Sequence, residues 1–183
     1  MNREKLNNFI AREKMFIDIY KQIDRILRDV EVENKNISIN KAMRRLNLLY
    51  QEFKDKIENG EFMDKKGEVS FEDLMAIHTV KYMKYFIEDI LEFLRDYMYV
   101  LKKGNLSKND NRLKDILIKY YDYENDVILE NLKSVKGESR KRKKILWKSI
   151  LEENMDKYRK RKLRILEDNI SFHTNMIEQY SEF

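Results

Sequence analysis

Cysteine and proline are absent from this chain of 183 residues, which has only four glycines and two histidines. Without cysteine there is no disulfide, no thiolate nucleophile and no cysteine-ligated zinc or iron–sulfur centre. Without proline the strongest helix breaker is missing, and four glycines leave few places for tight turns. A hairpin-rich β fold draws on both, so these absences point to an all-α protein. No apolar run reaches the roughly 18 residues that a membrane span needs. The N-terminal stretch carries Arg3, Glu4, Lys5, Arg12, Glu13, Lys14 and Asp18, which leaves no apolar core for a secretory signal. A soluble, cytoplasmic chain with no membrane contact is expected.

What is present is ordinary apolar content, 42%, with an unusually high charged fraction, 39%. A chain of this size buries roughly 70% of its unfolded surface, enough for a real core. The expectation is a single helical domain over residues 1–183, a bundle of about five helices with a long, basic C-terminal helix.

Apolar residues recur at helical spacing in five stretches. In 3–32 the stripe is Phe9, Phe16, Ile23 and Val30, with Tyr20, Ile26 and Leu27 beside it. In 38–59 it is Ala42, Leu46, Leu49, Phe53 and Ile57, with Gly60 placed to close the helix in a left-handed conformation. A polar loop follows, interrupted by Phe62 and Met63. Ser70 with Asp73 three residues later has the spacing of a capping box opening a helix over 71–103. That stripe, from Ala76 through Met83, Ile87, Ile90 and Leu94 to Leu101, is thickened by Phe86, Phe93 and Val100, as in a central helix packed on two sides. Ser107 with Asp110 opens a fourth helix over 108–135, striped by Leu113, Leu117, Tyr120 and Val127. The fifth, 140–179, has Leu151, Met155, Tyr158, Leu166, Ile170, His173 and Ile177 on one face. At 1.5 Å per residue it is about 60 Å long, longer than a compact domain is wide, so 140–183 is expected either to kink or to project as an arm.

Charge is unevenly spread. Residues 133–164 hold 14 Lys and Arg against four acids, a local +10, whereas the chain sums to +5, leaving −5 elsewhere. At 100° per residue Arg142, Lys157, Lys160, Arg161 and Arg164 share an arc of about 100°. Arg140, Lys141, Lys143 and Lys144 adjoin it. Cations in a row attract phosphate backbones because neutralisation releases condensed counterions, and such contacts position without reading sequence. Trp147 and Tyr158 lie among these cations, but helical phase turns both toward the core. The function expected is non-catalytic binding of nucleic acid through this helix. The alternatives are a protein-interaction or assembly subunit, possibly a homo-oligomer, and, more remotely, a metal-dependent hydrolase of the all-α class.

The residues for that last alternative are sparse. His78 and His173 each lack a Glu three residues before them, so neither Glu-x-x-His nor His-Glu-x-x-His metal spacing occurs. A lone helical histidine is a structural residue in most cases, and Asp168 is badly phased to partner His173. Carboxylates cluster at Glu88, Asp89, Glu92 and Asp96 and at Asp122, Glu124 and Asp126, while Glu58 with Glu61 and Glu153 with Asp156 have isolated ligand spacings. All read as surface acids. There is no glycine-rich phosphate loop and no nucleophile elbow. No cofactor, metal or catalytic residue is expected. Most of the 11 tyrosines, including Tyr20, Tyr50, Tyr85, Tyr97 and Tyr120, fall at or beside stripe positions and read as core.

Overall fold

A computed structural model describes residues 3–30, 35–63, 69–103, 110–120 and 140–182, excepting the side chains of 140–147. Among the described residues the regular structure is entirely helical: α1 (Arg3–Arg28), α2 (Lys35–Glu58), α3 (Phe71–Lys102), α4 (Asn111–Lys119) and α5 (Arg140–Ser181). The all-α bundle of about five helices is therefore the fold. No described helix is long and apolar enough to cross a membrane. The chain divides into two compact units, Met1–Leu94 with Leu163–Phe183, and Arg95–Lys162.

In the first unit local sequence sets where each helix ends. Gly60, at φ 68°, closes α2: its amide donates to the Ile57 carbonyl (3.0 Å), and the Glu61 amide reaches back to Lys56 (3.0 Å). These are the paired bonds of a Schellman cap, which a Cβ at Gly60 would disfavour. The turn delivers Phe62 into the core, where it stacks on Phe16 at 5.1 Å and meets Phe53 edge-on at 5.5 Å. Burying such a ring contributes roughly 1.5–3 kcal/mol. The capping box at α3 forms in both directions: the Asp73 amide donates to Ser70 Oγ (3.2 Å), and the Ser70 amide donates to Asp73 Oδ2 (3.1 Å).

Asp73 has a second partner. Arg12, buried in mid-α1, donates from Nη1 to Asp73 Oδ1 (2.9 Å) and to the Phe62 carbonyl (3.3 Å), and from Nη2 to the Glu72 carbonyl (2.9 Å). One guanidinium thus holds α1 against both ends of the α2–α3 connection. On the same helix Glu13 meets His173 of α5, and Phe9 packs on Tyr180 at 4.3 Å. Rising numbers on α1 meet falling numbers on α5, so residues 163–181 run antiparallel to α1. Around Ile90, Leu91, Phe93 and Leu94, α3 is buried over a wide arc, as the thick stripe anticipated, with Glu88, Glu92 and Arg95 on its exposed side. Two expectations change here. Tyr85 is not core but 57% exposed, because Met83, Phe86 and Ile87 take the inward face. The first helix stops at Arg28, with Val30 still buried beyond it.

In the second unit Tyr97, Met98 and Val100 of α3, Leu113, Ile116 and Tyr120, and Ile150, Leu151 and Met155 of α5 are buried. Lys148 donates to the Leu101 carbonyl (3.3 Å) in the last turn of α3, where the helix dipole favours a cation. The fourth helix starts later than its sequence suggested. Asp110 itself is the N-cap, at φ −82° and ψ 97°, accepting from the Leu113 amide at 3.1 Å. Ser107 and residues 121–139 lie outside the described residues, so the extent of that helix toward 135 does too.

The double role of Asp73 has a measurable consequence. Burial works to raise its carboxyl, but the hydrogen bonds from Ser70 and the Arg12 guanidinium outweigh this and hold it below the ordinary 3.8. A depressed carboxyl contributes stability that is full above its unfolded value and lost as pH falls through the lower folded one. In urea unfolding at neutral pH, Ser70→Ala should cost about 1 kcal/mol, as a lost cap. Asp73→Ala should cost roughly 3–5 kcal/mol because it also strands a buried guanidinium. Equal losses would mean that Arg12 contributes nothing through Asp73.

Candidate functional site

The basic residues singled out in the sequence fall unequally within the structure. Arg140, Lys141, Arg142, Lys143 and Lys144 stand on the first turns of α5, and their side chains, like that of Trp147, lie outside the described residues. Lys157, Lys160 and Arg161 belong to the second unit, whereas Arg164 belongs to the first. Lys160, Arg161 and Arg164 are exposed and Lys157 is half-buried. Local acids offset part of the row: Lys157 Nζ lies 3.8 Å from Glu153, and Lys160 Nζ lies 3.5 Å from Asp156. Asp156 is also held by Arg159, which is mostly covered, at 3.0 Å. Exposed pairs one helical turn apart are weak and screened by salt.

The aromatic residue of this stretch sits as its phase implied. Tyr158 is half-buried, edge-on to Tyr120 at 5.0 Å, with Lys162 Nζ 5.1 Å and Arg161 Cζ 5.9 Å from its ring centre. Tyr120 leads to a cluster that the sequence did not reveal. Its hydroxyl donates to Asp96 Oδ2 (2.9 Å), and that buried carboxylate also has Arg112 Nη2 at 3.8 Å and Lys119 Nζ at 3.7 Å. The Arg112 guanidinium lies 4.2 Å from the Tyr99 ring centre, with Lys103 Nζ 5.2 Å from the same ring. Asp110 completes the group, accepting from Tyr99 Oη (2.6 Å) and pairing with Lys103 (2.9 Å). Lys103, followed by Tyr99 and the Leu113 amide, holds Asp110 well below its ordinary 3.8, and Asp110 in turn raises Lys103. Arg112 and Lys119 are seven residues apart, hence on one face of α4, a spacing that the sequence does contain.

The charge asymmetry follows the division into units. Arg95–Lys162 carries 20 Lys and Arg against 11 Asp and Glu, a net +9, and the remaining residues carry 18 against 22, a net −4. All of the +9 comes from residues 133–162 of the basic segment; only its last cation, Arg164, belongs to the other unit.

The first unit contains the one buried histidine contact. His173 Nδ1 lies 2.5 Å from Glu13 Oε2, with both side chains almost fully covered. With the carboxylate as acceptor, the Nδ1 proton donates. Phe16, Tyr20 and Phe172 surround the imidazole at 5.2–5.7 Å between ring centres. Burial, then Tyr82 and Glu13, pushes the Tyr20 phenol far above its ordinary 10. The structural role expected for His173 fits this setting, but its partner is Glu13, not a neighbour on its own helix. His78 is exposed.

A groove between α1 and α2, lined by Met15, Gln22, Leu49, Lys56 and their neighbours, offers about 60 Å³. That is room for about two waters. Glu88, one of the clustered carboxylates, accepts a hydrogen bond from Tyr50, whose phenol is pushed up to about 12 by burial and then by Glu88. Among the described residues no three His, Asp or Glu side chains come together as metal ligands. Asp122, Glu124 and Asp126 lie outside them. No known protein family, curated protein or solved structure matches the chain.

The buried pair can be weighed by a double-mutant cycle on Glu13→Ala and His173→Ala. Its coupling should exceed about 1 kcal/mol in urea unfolding. The same cycle on the exposed Arg28–Glu167 pair (2.6 Å) should give a small fraction of that. Indistinguishable couplings would show that burial adds nothing to the Glu13–His173 contact.

Proposed function

We propose that this protein is a non-catalytic binder of nucleic acid, holding phosphates with the basic surface of its Arg95–Lys162 unit without strong sequence preference. One observation carries the reading: the net +9 is gathered into one compact unit while the rest of the chain is net acidic. Charge spread for solubility alone has no reason to segregate in this way. Lys157, Lys160 and Arg161 are the described contacts, Arg164 continues the row along the same helix, and Arg140, Lys141, Arg142, Lys143 and Lys144 precede it. Each acts as a phosphate contact and none as a base reader, because Tyr158 turns its ring to Tyr120.

Anisotropy of a labelled duplex should report binding that is steeply salt-dependent. With the nine phosphate contacts named, affinity falls roughly 10⁵-fold between about 50 and 200 mM salt. Arg161→Glu with Arg164→Glu should abolish it. Absence of binding at low salt, or indifference to both reversals, would overturn the reading.

A second reading rests on a different observation. Phe71, Leu74, Tyr82 and Tyr85 are 45–67% exposed and share an arc of about 80° on the first-unit part of α3. Contiguous exposed apolar surface favours a protein contact, so an assembly role is the alternative. Sedimentation separates the two. A stable oligomer at low micromolar concentration without nucleic acid, dissolved by Phe71→Ser with Tyr85→Ser, supports assembly, and a monomer counts against it.

A further inference from the structure

The second unit holds cations on two helices, and its aromatic contacts bring them together. Lys119 Nζ lies 5.4 Å from the Tyr120 ring centre, Lys162 and Arg161 lie over Tyr158, and the two rings are in edge contact. Resting on the nucleic-acid reading above, we infer that the phosphate-binding surface is composite: Arg112 and Lys119 of α4 bind phosphate alongside the cations of α5.

Three features of the cluster suit it to a phosphate. Asp96 lies inside, with its side chain 12% exposed, while Arg112 and Lys119 lie outside it at 50% and 33%. The carboxylate holds two like charges side by side that would otherwise repel, and so keeps the cluster formed before any ligand arrives. At 3.8 and 3.7 Å the cations are paired with Asp96 by charge, too far apart for a tight hydrogen bond. An arriving phosphate oxygen therefore breaks no hydrogen bond between Asp96 and Arg112. The Arg112 guanidinium, resting on the Tyr99 ring, is already ordered, and its planar fork matches two phosphate oxygens. Less side-chain entropy is then lost on binding.

The surface has its own brake. Asp115 is exposed and falls within about 60° of Arg112 and Lys119 around α4. It opposes an anion on that face, and its removal should strengthen binding.

The test is the salt dependence of binding to a labelled duplex of about 20 base pairs, for the full chain and its variants. Arg112→Gln with Lys119→Gln should lower the slope of log affinity against log salt by about 2. Arg112→Lys with Lys119→Arg should keep the slope, and Asp115→Asn should tighten binding several-fold at low salt. Circular dichroism and a thermal melt report whether each variant folds. If the glutamine pair does not fold, the charge-retaining pair and Asp115→Asn decide, and unchanged affinity in Asp115→Asn overturns the inference. If the folded glutamine pair keeps the wild-type slope while Arg161→Glu with Arg164→Glu loses binding, α5 acts alone: the composite surface fails and the nucleic-acid reading stands. Wild-type protein that does not bind the duplex overturns both.

Discussion

Arg12 and Glu13 are consecutive residues on α1, oppositely charged and both buried, and each is paired with a different part of the first unit. The guanidinium closes on Asp73 and on the carbonyls of Phe62 and Glu72, while the carboxylate closes on His173. Neighbouring residues on a helix point about 100° apart, so the two side chains reach separate elements. The beginning of α3 and the 163–181 stretch of α5 are thereby indexed to one turn of α1. Apolar stripes can slide by a helical turn at modest cost, but a stranded buried charge costs several kcal/mol. These two residues fix registers that the surrounding phenylalanines and isoleucines leave open.

That arrangement explains what was legible in advance. The Gly60 cap and the Ser70–Asp73 box rest on residues within five positions of one another and stand where expected. Helices α1, α2, α3 and α5 stand near their expected bounds, while α4 begins later and its extent toward 135 lies outside the described residues. The contacts of Arg12, Glu13 and Phe62 join residues far apart in the chain, and nothing local distinguishes a charge that will be buried from one that will stay wet. In the sequence Arg12 and Glu13 counted only as charges arguing against a signal segment. Phe62 looked like an exception in a polar loop, although an aromatic just past a glycine cap is a usual place for a residue that folds back onto its helix. The Ser107 cap gave way to Asp110 because two capping residues stood three apart and spacing alone does not choose between them.

The candidate site was legible to a similar depth. Helical phase anticipated the exposure of Lys160 and Arg161 and the inward lean of Tyr158, whereas Lys157 is half-buried. The segment 133–164 stands out in the sequence because its cations are dense there. Arg112 and Lys119 lie outside that run, with Asp110, Asp115 and Asp122 within two to four positions of them, and become part of a cationic cluster only through Asp96 and Tyr120.

The capping acid of α3 also sets an order of events. Ser70 and Asp73 can find each other within a single turn, on the time scale of helix nucleation. Arg12, 61 residues away from Asp73, must wait for a long loop to close. The carboxylate is thus oriented by its own helix before its distant partner arrives, and the late contact is made to a group that has already lost its freedom. A surface cap here serves as the prefabricated half of a core joint.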